Sequence, residues 1–125
     1  MSLRDAHVWW AWVVVVSNAA VGLWALGAHR WEGLRHKALW WATAAAEIAI
    51  ALQVVLGVVL LNREDRKPPQ FHMFYGFVAI IAVGILYSYR TTSPWVRERV
   101  YLVYGAGSLF LMGLAIRAVL VGTTR

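Results

Sequence analysis

Cysteine does not occur in this chain of 125 residues, and several kinds of chemistry drop out with it. Disulfides, thiolate metal sites, covalent heme attachment through a Cys-x-x-Cys-His run and redox dithiols all need a thiol. Four-helix membrane oxidoreductases that work through a cysteine pair are thereby excluded. Charge is scarce too: 14% of residues are Asp, Glu, Lys or Arg, well below the roughly 25% of soluble proteins. Proline is confined to Pro68, Pro69 and Pro94, positions that break helices between hydrophobic runs. What is present instead is apolar: 61% hydrophobic residues and a mean hydropathy of +0.59.

A bilayer core is crossed by about 20 mostly apolar residues per helix, and four segments meet that requirement: residues 8–28, 39–61, 71–89 and 100–121. The connections between them are short. The expected fold is therefore all-α, a polytopic membrane protein forming one four-transmembrane-helix bundle over residues 1–125. Trp9, Trp10, Trp40, Trp41, Tyr87, Tyr89, Trp95 and Tyr101 fall near the proposed helix ends, as an interfacial aromatic belt would. Thr92 or Ser93 is expected to cap a short turn leading into the fourth segment. The first segment is longer than a signal-peptide core, although Ala25-Leu26-Gly27-Ala28 is a small-residue pattern, and it is read as a retained helix. The net charge of +6 lies in the connections, where arginines contact lipid headgroups and set topology. The lipid bilayer is the expected partner, and nucleic acid is not.

With four spans both termini share a side with the second connection, which carries Arg63, Arg66 and Lys67 beside Arg4 and Arg125. The other side carries Arg30, Arg35, Lys37, Arg90, Arg97 and Arg99. Five cations against six, counted from the sequence, is a tie, so the positive-inside rule assigns no orientation. Another subunit of a larger membrane complex would fix it, or the chain would insert both ways and form an antiparallel homodimer, a homo-oligomer of two. Arginine outnumbers lysine and alanine and valine abound, a composition of GC-rich bacterial genomes, which points to a bacterial inner (plasma) membrane.

His7 and His72 stand at the entrances of the first and third segments, which begin on the same side of the membrane. Two imidazoles at matched depth on facing helices are the arrangement that ligates a heme iron. On a helical wheel His7, Ala11, Val14, Asn18, Gly22, Ala25 and His29 form one stripe, and His72, Gly76, Ala79, Val83 and Arg90 form another. Gly76, one turn after His72, leaves space for a flat macrocycle. Arg4, Arg66 and Lys67 at the same surface suit its propionates. The alternative reading is structural: small-residue stripes pack membrane helices, and histidines at helix entrances suit the interface. His29 and His36 lie at the opposite end and read as solvated residues or, alternatively, a second metal site.

Glu47 is the costliest residue, a carboxyl deep in the second segment, which marks a proton path, a substrate site or a polar cavity. Arg117 in the fourth segment is its candidate neutraliser, unless that side chain snorkels to the surface. Gln53 and Gly57 share a face one turn apart, about 120° from Glu47. Asn18 is a candidate hydrogen-bond partner for Glu47 or Gln53. The structural alternative for these groups is interhelical polar glue. No catalytic residue set stands out.

The order of His7, then Gln53-Val54-Val55-Leu56-Gly57, then His72 resembles one half of the heme A synthase family and, more broadly, b-type cytochrome bundles. In that family a helix bearing Gln-x-x-Leu-Gly lies between two histidine-bearing helices of a four-helix half. The resemblance covers roughly residues 7–90. It departs from the family where Arg4 stands in place of a Glu three residues before the first histidine. It departs again in the histidines lying on the first and third helices, and in the missing second half. It implies a small heme-holding scaffold and not the oxidation of a heme methyl. Three functions follow as expectations. The first is a bundle binding one heme b for electron transfer, alone or as a subunit of a redox complex. The second is a small proton-coupled transporter dimer around Glu47. The third is an accessory subunit of a larger membrane assembly.

Overall fold

The computed structural model describes residues 2–63 and 68–123. They form α1 (Leu3–Arg30), a 3-10 turn (Glu32–Leu34), α2 (Lys37–Arg63), α3 (Gln70–Thr92), the short α4 (Pro94–Glu98) and α5 (Val100–Thr123). Helices α1, α2, α3 and α5 are each long and apolar enough to cross a membrane, so this is a multi-pass, all-α four-helix bundle. The first three spans start earlier, and all four end later, than hydropathy alone predicts, and at α1 polar contacts set both ends. Ser2 Oγ accepts from the Asp5 amide at 3.1 Å and Asp5 Oδ2 accepts from the Ser2 amide at 3.2 Å. This capping box starts α1 at Leu3 and places His7 in the second turn, a correction to its expected position at the entrance. At the other end Arg35 donates from Nε to Ala28 O at 2.7 Å and from Nη2 to His29 O at 3.2 Å. Those are carbonyls that a helix C-terminus leaves unpaired. Ser93 is the cap of α4, accepting from the Val96 amide at 3.4 Å, with Pro94 in its first turn; Thr92 bonds back to Ser88 O instead.

Around the bundle axis the order is α1, α2, α3, α5, with α1 packed most closely on α5, then α2, and α3 packed mainly on α5. Contact between α2 and α3 is sparse. Helices α1 and α3 therefore face each other across the diagonal. The α1–α5 seam is close because Gly105 carries no side chain: a Cβ there would sit 2.6 Å from Leu26 Cγ and 2.9 Å from the Leu26 backbone nitrogen. Val14, Ala49, Ile50, Ala79 and Leu111 form the main core, and Ala25, Ala28 and Leu39 a second cluster. The aromatic belt divides into two sets. Trp9, Trp41, Tyr87, Tyr89 and Trp95 are exposed to the surroundings. Trp10 turns inward and donates from Nε1 to Ala49 O at 2.7 Å, while Trp40 packs on Tyr101 and Tyr104.

Candidate functional site

His7 and His72 meet. Their ring centroids lie 6.0 Å apart with the planes at 82°, across the diagonal between α1 and α3 at the end of the bundle that holds the N-terminus. Each ring has a built seat. His72 lies in the first turn of α3, and its Nδ1 is 2.7 Å from Ala118 O on α5. A carbonyl only accepts, so Nδ1 is the protonated nitrogen and Nε2 carries the lone pair. Gly122, one turn beyond Ala118, makes the room: a Cβ there would be 2.7 Å from His72 Nδ1. On α2, Gln53 Nε2 donates to the His7 carbonyl at 2.8 Å, and a Cβ on Gly57 would meet His7 Cε1 at 3.3 Å. The face shared by Gln53 and Gly57 is thus the face that receives His7.

Both histidines line a cavity of about 760 Å³ that also reaches Arg4, Gln53, Gly76 and Phe77. That volume lies in the upper part of the range for small-molecule sites, roughly 300–1,000 Å³. A Cβ on Gly76 would meet nothing within 4 Å, so this glycine borders open space and does not seat a ring. Neither His7 Nε2 nor His72 Nε2 makes a hydrogen bond among the described residues. An edge-to-face ring pair also shows such spacing, but would not by itself require two nitrogens without donors beside a cavity. Two metal–imidazole bonds of about 2.0–2.1 Å, plus a ring radius of about 1.1 Å on each side, add to a little over 6 Å for rings whose Nε2 atoms lie on the line between them.

No group of three or more His, Asp or Glu comes together among the described residues. The donor set is therefore a pair, suited to an iron whose other four ligands come from a porphyrin. These residues fit a bis-histidine heme. Of the expected propionate partners, Arg4 lines the cavity, while Arg66 and Lys67 lie outside the described residues.

The remaining polar residues sort differently from expectation. Asn18 is fully buried and donates to Val14 O of its own helix at 2.9 Å; it bonds neither Glu47 nor Gln53. Glu47 has Oε2 buried without a partner, and the cation whose charge reaches it is Arg90. The Arg90 guanidinium lies 4.2 Å from the Trp40 ring centre and 5.5 Å from that of Tyr104. Arg117, the neutraliser proposed from sequence, is exposed and lies 5.7 Å from the Tyr75 ring centre. His29 and His36 are exposed, and His36 Nδ1 accepts from the Ala38 amide. Sequence reasoning did not reach Ala118, Gly122, Trp40 or Tyr104 as parts of these two clusters. An apolar residue's carbonyl leaves no trace in composition, whereas Arg90 already stood on the His72 stripe. Compared with protein-family models, with curated proteins and with solved structures, the chain matches none.

Proposed function

We propose that this protein holds one b-type heme between α1 and α3, with His7 and His72 as axial ligands. It would carry single electrons in a bacterial inner membrane, alone, as a homo-oligomer or as the small subunit of a redox complex. One observation carries the reading: two imidazoles face each other at 6.0 Å across the bundle diagonal and open on a cavity of about 760 Å³. The heme supplies a reversible one-electron carrier. The chain supplies the rest. Ala118 O and Gly122 fix the ring of His72, and Gln53 and Gly57 fix His7. The apolar walls from α2, α3 and α5 exclude water, and Arg4, which lines the cavity, balances propionate charge. The resemblance to half of a heme A synthase points the same way.

Of the other readings, a transporter centred on Glu47 draws less support, because Glu47 does not line the cavity. An accessory subunit without chemistry draws on a second groove of about 580 Å³ between α1 and α2, lined by Ser17, Ala20, Ala42, Ala45 and Ala49. Small residues of that kind admit a neighbouring helix.

The test is an absorption spectrum of detergent-purified protein, oxidised and then reduced with dithionite. A Soret band with sharp α and β bands on reduction is expected, and His7→Ala and His72→Ala should each abolish it. Protein that stays colourless after expression with heme precursor overturns the proposal and leaves the accessory reading.

A further inference from the structure

Among the described residues, four buried side-chain atoms lack a hydrogen-bond partner: His7 Nδ1, Asn18 Oδ1, Glu47 Oε2 and Gln53 Oε1. Two of the four belong to side chains already in contact. Gln53 Nε2 donates to the backbone oxygen of His7, and both the side chain and the backbone of Gln53 reach the His7 ring. The orientation of that amide is not arbitrary. A backbone oxygen only accepts, so the NH2 group must face it and Oε1 must be the free end. An acceptor and a ring nitrogen are thus buried on two residues in contact, each short of one bond, and buried polar atoms are rarely left so. One proton satisfies both, if it sits on His7 Nδ1 and is donated to Gln53 Oε1.

We propose that Gln53 is the positioning residue of His7, holding its imidazole as the Nδ1–H tautomer so that the Nε2 lone pair is offered to the cavity. The other tautomer would place the proton on the nitrogen needed for ligation and leave both buried atoms unsatisfied. The arrangement then repeats, with a different acceptor, what Ala118 O does for His72. Each ring has one nitrogen tied to an oxygen acceptor and one free, and such outer partners orient metal-bound histidines and raise their basicity. One turn along α2, Gly57 keeps the space into which the held ring fits. The tautomer stands on the contacts alone; its role as ligand control rests on the heme proposal.

The two are separable by experiment. Nitrogen NMR of histidine-labelled protein purified without heme reads the tautomer directly, with the His7 signals assigned by their loss in His7→Ala. Wild type should show Nδ1 protonated and Nε2 bare. Gln53→Leu should move the proton to Nε2, and Gln53→Glu, which keeps an acceptor, should hold it on Nδ1. A wild-type ring protonated on Nε2, or a Gln53→Leu spectrum identical to wild type, overturns the assignment whether or not heme binds.

In heme-loaded protein, Gln53→Leu should weaken retention about 10- to 100-fold, with Gln53→Glu restoring it. The carboxylate, a stronger acceptor, should also favour the oxidised state by about tenfold, read as a lowered midpoint potential. Loaded protein whose retention and potential ignore both substitutions removes Gln53 from ligand control and leaves the heme proposal intact. Colourless protein with the predicted NMR pattern does the reverse.

Discussion

A single Cβ decides how much room an imidazole has beside it. At Gly57 and Gly122 that atom would press on His7 Cε1 and His72 Nδ1, at 3.3 and 2.7 Å, whereas at Gly76 it would meet nothing within 4 Å. Overpacking of this kind costs about 1–3 kcal/mol. Gly57→Val and Gly122→Val should therefore lower heme retention by roughly 5- to 150-fold, measured by heme-to-protein ratio after dilution, while Gly76→Ala keeps it. A Gly76→Ala variant as weak as Gly57→Val would place the ligand elsewhere in the cavity. At the opposite end of the bundle the single residue that matters is Arg90, stacked on Trp40 and facing Glu47. Arg90→Leu strands a carboxyl group inside the bundle and should destabilise the protein by on the order of 2 kcal/mol. Joining it to Glu47→Leu should recover most of the loss, since removing both partners leaves no uncompensated polar group. Thermal unfolding in detergent decides this, and a double variant no more stable than Arg90→Leu alone would show that the two side chains act independently.

The long helices of this protein owe their existence to hydropathy, α1 owes its ends to caps, and the two were unequally legible. Four apolar runs announce four spans, because no other secondary structure satisfies its own backbone in lipid. The ends of α1 depend on small polar contacts that a hydropathy window averages away: Ser2 with Asp5 at its start, and Arg35 on its last carbonyls. Asp5, one residue beyond the Arg4 that departs from the family's pattern, is half of that capping box. Ser2→Ala should cost about 0.5–2 kcal/mol locally, fraying the turn before His7 and loosening heme without unfolding the bundle. Amide hydrogen exchange confined to the first turns of α1 is the expected signature. The seam between α1 and α5 is the element-scale counterpart. There the Leu26 backbone leaves no space for a Gly105 side chain, while Gly113 on the same helix faces open space. Gly105→Leu should therefore lower the unfolding temperature sharply and Gly113→Leu barely at all.

The whole molecule explains why two histidines far apart in sequence were recognisable as a pair. Short connections make successive spans neighbours, so the ring order α1, α2, α3, α5 follows from loop length, and the first and third spans must face each other across the axis. Parity places the starts of α1 and α3 on one side of the membrane, which brings His7 and His72 to one end. What stayed out of reach was the contribution of α5, because Ala118 acts through its backbone and Gly122 through an absent side chain. Orientation is the property that no internal contact decides. With five cations on the terminal side against six on the other, loop charge gives almost no bias. The bundle should insert both ways when expressed alone. A chain without cysteine makes this directly measurable. Ser2→Cys and Gly33→Cys, introduced singly, should each react with a membrane-impermeant maleimide in comparable fractions from the two sides. Adding Glu32→Arg and Gly33→Arg should draw the first connection to the cytoplasm, so that Ser2→Cys labels only from outside. A wild-type chain held in one orientation, and unmoved by two added arginines, would mean that a partner subunit and not loop charge sets the topology. Because the histidine pair lies at the end that carries Ser2, the same labelling reports which face of the membrane the proposed electron carrier serves.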